Sequence, residues 1–161
     1  MALSSLGGDE VGVVFGRLGN PLEQWLAVDF GSTSVGLRAL TQALTHELKA
    51  EHEVAAALCH KVGLRSCKEL REATRIAWFN KGLSAADLAT LGKLGSVLPA
   101  LEKLSLYEKK AGGTGPDGVQ RLAAGLGVGA LPSVTTFATY NVIVGDAGAS
   151  ALAAALGRGA L

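Results

Sequence analysis

Three histidines and two cysteines are the nitrogen and sulfur groups of this 161-residue chain best suited to ligate a metal. His46, His52 and His60 are spaced by six and eight positions, and neither interval is the i, i+4 spacing that sets two imidazoles on one helix face. Cys59 adjoins His60, but neighbouring side chains on a helix point apart, and no acidic or cysteine cluster completes a tetrahedral set. No metal site is expected. Nucleophilic and phosphate chemistry also lack their motifs, because neither Gly-x-Ser-x-Gly nor Gly-x-x-x-x-Gly-Lys-Ser/Thr occurs. Gly112-Gly113-Thr114-Gly115 faintly resembles a phosphate loop, yet no Lys-Ser/Thr pair follows, and it reads as a flexible loop. The chain is therefore read as a non-enzyme that needs no cofactor.

The residues that do fall into a useful pattern are aromatic. Leu101, Leu104 and Leu106 have the spacing L-x-x-L-x-L, as do Val134, Phe137 and Thr139, and a weaker copy is Ala73, Ile76 and Trp78. The copies lie 28 and 33 residues apart, the extra length falling in residues 109–115 as a loop insertion. Each copy predicts a short strand whose apolar positions face a core and whose alternate residues face outward. The outward rows are Arg75, Ala77, Phe79; Lys103, Ser105, Tyr107; and Thr136, Ala138, Tyr140. Parallel strands pair about 4.8 Å apart, so Phe79, Tyr107 and Tyr140 would form a ladder. Aromatic residues gathered on an open face are what binding hot spots are made of. These three, with Arg75 and Lys103 as a basic edge, are the candidate partner-binding residues; the competing reading is that the rings only stack on one another. Trp78 points inward and is expected in the core, and Trp25 is expected in helix packing.

Those strands need helices to cover them. The stretch Leu122-Ala123-Ala124-Gly125-Leu126-Gly127-Val128-Gly129-Ala130-Leu131 is echoed 30 residues later, from Leu152 to Leu161. In each copy a turn follows the strand and a helix follows the turn. Asp146 is the expected N-cap of the last helix, and Ser84 with Asp87 forms a capping pair for the first. Leu83 and Val144 correspond, as do Leu91 and Leu152. A three-residue strand face cannot bury itself, but stacked copies share a core. Small residues (Ala123, Ala124, Ala153, Ala154) would let the helices sit close.

The run Leu131-Pro132-x-Val134-x-x-Phe137-x-Thr139, then Val144-Gly145-Asp146-x-Gly148, then Leu152-Ala153-x-Ala155-Leu156 resembles the ribonuclease-inhibitor-type leucine-rich repeat, over residues 66–161. The resemblance implies an α/β leucine-rich repeat solenoid of about three repeats, binding a protein partner on its concave face. The family places Asn or Cys three residues after the last strand leucine, where this chain has Lys81, Lys109 and Val142; Asn80 and Asn141 fall one residue early. A further strand is expected to begin just past Leu161, as in a longer array. Some proteins of this type activate the small GTPase Ran, a third functional class for which no residue here matches.

Residues 1–64 do not repeat and read as a small all-α N-terminal domain ahead of repeats at 65–161. Val11, Val14, Phe15 and Leu18 mark one helical face, broken by Gly19-Asn20-Pro21. Further helices are expected at 22–30, 34–48 and 51–62, the last ended by Gly63, with a capping box at Ser66–Glu69. The run Leu6-x-x-Asp9-Glu10-Val11-x-x-Val14-Phe15-x-x-Leu18-x-Asn20-Pro21-Leu22, followed by Leu26-Ala27-Val28, resembles the F-box. That resemblance implies a substrate receptor of a cullin ubiquitin ligase, with the adaptor subunit as partner and no catalysis of its own.

Bulk properties agree with a folded binding protein. Hydrophobic residues make up 48% and charged residues 18%, too apolar for disorder. The net charge of +1 gives no reason to expect nucleic acid or an anionic membrane as partner. No apolar run approaches the roughly 20 residues of a spanning helix. The first nine residues lack a basic region followed by an apolar stretch, so secretion is not expected. Two free, buried thiols in the cytoplasm or nucleus follow.

Overall fold

The computed structural model describes residues 7–108 and 115–160. Leu6 of the F-box-like run, residues 109–114 with Gly112, Gly113 and Thr114, and Leu161 lie outside them. The backbone divides into two compact units, Met1–Ala56 and Ala57–Leu161.

The first unit is helical: α1 (Gly8–Leu18), α2 (Trp25–Ser32) and the greater part of α3 (Val35–Val62). Helix α1 begins where the Glu10 carboxylate accepts the Gly7 N–H at 2.9 Å, and closes where the Gly19 N–H reaches the Phe15 carbonyl at 2.7 Å. Asn20 Oδ1 then accepts the Leu22 N–H at 2.9 Å, an Asx turn through Pro21. Phe15, Ala27 and Leu48 form the buried centre, with Leu18, Phe30 and Leu44 packed against it. Helices expected separately at 34–48 and 51–62 are in fact one helix of 28 residues. Lys49 and Ala50 between them are good helix formers, and no Gly or Pro interrupts the run.

The second unit alternates helix and strand: α4 (Cys67–Glu72), β1 (Arg75–Phe79), α5 (Ala85–Leu94), a 3-10 turn (Gly95–Val97), β2 (Lys103–Tyr107), α6 (Gly115–Gly125), β3 (Thr136–Tyr140) and α7 (Gly145–Gly157). The strands form one parallel sheet in the order β1-β2-β3. Its register sets Arg75 beside Lys103 beside Thr136, and Phe79 beside Tyr107 beside Tyr140. Ile76, Trp78, Leu104 and Leu106 are buried on the inner face, and Leu88, Leu91, Val119 and Leu122 are buried on the helices. Phe137 and Thr139 of β3 are only half-buried.

This architecture corrects the leucine-rich repeat solenoid expected from the sequence. The protein is 61% helical, with seven helices and only a small three-strand parallel sheet among the described residues. The L-x-x-L-x-L spacing specifies a short parallel strand, a signal that a single small β–α sheet satisfies as well as a solenoid does. The long α3 and the helices of 10 to 13 residues after each strand carry most of the helix.

Two smaller expectations also change. Asp146 lies inside the first turn of α7, whose N-cap is Val144 without a side-chain cap. Ala153 and Ala154 are exposed while Ala155 is buried, so the apolar stripe of α7 is rotated from the expected one. The Ser84–Asp87 capping box does form. At α4, Ser66 Oγ accepts the Glu69 N–H, but the Glu69 carboxylate reaches past Ser66 to the Arg65 N–H at 2.8 Å.

Candidate site on the outer face of the sheet

Alternation along three five-residue strands presents nine outward side chains as three rows. Arg75, Lys103 and Thr136 are exposed at the strands' beginnings. Ala77, Ser105 and Ala138 form a middle row of small residues. Phe79, Tyr107 and Tyr140 close the far end, about 13 Å from the first row by strand rise. This row of small side chains separates a basic edge from an aromatic one.

The three rings form a ladder. Phe79 and Tyr107 have centroids 5.6 Å apart at 44°, and Tyr107 and Tyr140 are 6.4 Å apart at 42°. These distances and tilts lie in the range where ring edges meet ring faces favourably. Phe79 is 57% and Tyr140 55% exposed, with Tyr107 half-buried between them. Mutual stacking therefore leaves most of the outer two rings in water.

Backbone devices hold this column in place. The Asn80 N–H donates to the Tyr107 carbonyl at 2.9 Å, and the Glu108 N–H to the Tyr140 carbonyl at 3.2 Å, so pairing extends to the carbonyls of the aromatic positions themselves. Asn80 and Asn141 then turn the chain at φ 51° and 56°, the left-handed region that Asn tolerates better than most residues. Glu108 occupies the same column. It is only 7% exposed, and its Oε1 accepts the Leu83 N–H at 3.2 Å in the turn after β1. The leucine-rich repeat pattern places its turn residue one position later, where this chain has Lys81, Lys109 and Val142. The series Asn80, Glu108, Asn141 was the available signal.

Other reactive groups lie elsewhere. No group of three or more His, Cys, Asp or Glu that could hold a metal occurs among the described residues. A ring nitrogen of His52, Nδ1, donates to the Pro21 carbonyl at 2.6 Å, a structural role, while His46 and His60 are exposed. Cys59 and Cys67 are free and buried, with the Cys59 thiol donating to the Cys67 sulfur at 4.0 Å. Burial, then the neighbouring Cys67, pushes the Cys59 thiol up to about 12.

Two features of the first unit were not foreseen. Trp25, expected in helix packing, is exposed at the start of α2, as is Leu26. Arg38, Gln42, His46 and Lys49 line a groove of about 750 Å³ beside Val28 and Gly31. Their positions make one stripe only along an unbroken α3. No helix among the described residues is long and apolar enough to cross a membrane. Against known proteins, no family model, no curated protein and no solved structure matches the chain.

Proposed function

We propose that the chain is a protein-interaction module that binds a partner protein on the outer face of its three-stranded sheet. Phe79, Tyr107 and Tyr140 are the anchors, and Arg75 and Lys103 pair with acidic groups on the partner. The observation that carries this reading is the exposure of Phe79 and Tyr140 on strands, in register with a stacked neighbour. Rings held by a sheet lose little conformational freedom on binding, which is why aromatic residues dominate interface energetics. The small side chains of Ala77, Ser105 and Ala138 would leave a partner side chain room between the aromatic and basic rows. Binding of this kind involves no catalysis and no cofactor. With only two cysteines in the chain, the expected compartment is the cytoplasm or nucleus.

A second reading, an adaptor-binding substrate receptor of a cullin ubiquitin ligase, rests on the F-box-like run of the sequence, in which Trp25 would lie near the adaptor-facing surface; Trp25 and Leu26 are exposed at the start of α2. The two readings use different surfaces. Affinity capture with the full chain, with a Phe79→Ala/Tyr140→Ala variant and with a Trp25→Ala variant separates them. Each variant is first shown to keep the helical circular dichroism of the parent. The face reading requires partners lost at least about tenfold with the first variant alone, by hot-spot magnitudes. Recovery unaffected by the first variant would overturn it, and loss of cullin and its adaptor with Trp25→Ala would support the second.

A further inference from the structure

We infer that Cys59 and Cys67 are an oxidisable dithiol, a modification site at which a peroxide or a small-molecule disulfide joins the end of α3 to the start of α4. The sulfurs are 4.0 Å apart, and both cysteines are free and nearly closed off, at 2% and 6% exposure. A disulfide bond is about 2.05 Å long, so the sulfurs need approach by only about 2 Å.

The backbone on either side is fixed independently of the thiols. At the end of α3, the Gly63 N–H donates to the His60 carbonyl at 3.1 Å and the Leu64 N–H to the Cys59 carbonyl at 2.9 Å. Gly63 makes this closure with φ +89°, a conformation that suits glycine. At the start of α4, Ser66 Oγ accepts the Glu69 N–H at 3.2 Å. Two capped helix ends therefore hold the sulfurs face to face, and closing the bond requires side-chain movement rather than refolding of the turn.

The order of events follows from the surroundings. The Cys59 thiol is pushed up and stays protonated at neutral pH, and Cys67 is the more exposed of the two. An oxidant therefore meets Cys67 first. With hydrogen peroxide, the Cys67 sulfur takes one oxygen, becoming a sulfenic acid with release of one water. The Cys59 sulfur then displaces that hydroxyl, its own proton leaving with the hydroxyl as a second water. The two sulfurs give up two electrons and the peroxide accepts them. With glutathione disulfide the intermediate is a mixed disulfide, and two glutathione thiols are released. The bond formed would tether α4, which is joined to β1 through Ala73 and Thr74, to α3.

The test uses the full chain under native conditions. It is treated with hydrogen peroxide or glutathione disulfide, then denatured, alkylated with N-ethylmaleimide and mapped by mass spectrometry. The expected result is joint loss of both thiols, a single cross-linked peptide pair containing Cys59 and Cys67, and recovery of both thiols with dithiothreitol. Cys59→Ser should instead stop with Cys67 as a sulfenic acid or glutathione adduct. Retention of two alkylatable thiols by the native chain, while the denatured chain oxidises, overturns the inference. So does a disulfide between two chains, or a glutathione adduct that persists on the native sequence.

Discussion

Gly92 of α5 and Gly125 of α6 meet backbone to backbone. A Cβ built on Gly125 would lie 2.9 Å from the carbonyl carbon of Gly92 and from the Lys93 nitrogen. A Cβ on Gly92 would fall onto the Leu122 carbonyl oxygen. Both obstacles are main-chain atoms, which cannot swing aside as a flexible side chain would. The helices approach at this point because neither residue has a side chain.

Gly92→Ala is therefore expected to lower stability by about 2 kcal/mol or more, in the range of overpacking changes. Gly16→Ala is the opposite case. Gly16 is an exposed residue within α1, a Cβ there meets nothing within 4 Å, and the substitution should stabilise by about 0.5–1 kcal/mol. Urea midpoints of the three proteins check both signs, and Gly92→Ala within the parent's error would mean that the two helices move apart freely.

The sheet was the most legible part of the fold. Leu104, Leu106, Ile76 and Trp78 alternate with outward residues, and period-2 alternation depends only on the neighbours in sequence. The same offsets gave the register, and with it the aromatic column. What covers the strands was not legible to the same degree. The Gly92–Gly125 contact joins residues 33 positions apart, and nothing local distinguishes these glycines from those in turns. The break expected between 48 and 51 is absent because helix ends are set by caps and breakers, and Lys49-Ala50 supplies neither. The short strand motifs do not specify a solenoid for a related reason: three strands fit one small sheet as well as an extended array.

Glu108 carries the next prediction. Its buried carboxylate accepts the Leu83 N–H, so removing the acceptor leaves a buried donor unpaired. Glu108→Ala should cost about 1–3 kcal/mol, the desolvation penalty of an unmet hydrogen bond. Glu108→Gln retains an oxygen at the same reach and should recover most of the loss. Equal destabilisation by the two variants would show that the charge, rather than the acceptor, matters.

Asp87 predicts an acid-dependent contribution. Burial pushes its carboxyl up, but the Lys61 ammonium and the N–H and hydroxyl of Ser84 outweigh this and hold it below its usual 3.8. A carboxyl lowered in the folded state adds stability that is fully present above the unfolded value and is lost as pH falls through the folded one. Asp87→Ala, which removes the capping box and the ion pair, should cost about 1 kcal/mol at pH 7. The gap between variant and parent should narrow once the pH drops below 3.8. Denaturant midpoints from neutral to strongly acidic pH provide the test; a gap constant across the range would show that the loss owes nothing to the charge on the carboxylate.

Tyr107 stands between two rings, and Phe79 and Tyr140 each touch one. Stability and binding should therefore rank the three differently. Each ring pair is worth about 0.5–1.5 kcal/mol beyond its buried area, so Tyr107→Ala, which breaks two pairs, should be the most destabilising. Phe79→Ala and Tyr140→Ala break one pair each and remove rings that are mostly in water, so each should cost less. In binding, the outer rings present the larger free surface, and their loss should weaken the partner complex at least about tenfold. Thermal unfolding and titration calorimetry on the same three variants give both orders. If the stability loss of Tyr107→Ala is no larger than that of either outer variant, the ladder does not act as a connected stack. If binding falls only in proportion to stability, the rings are structural and the face is not the interface.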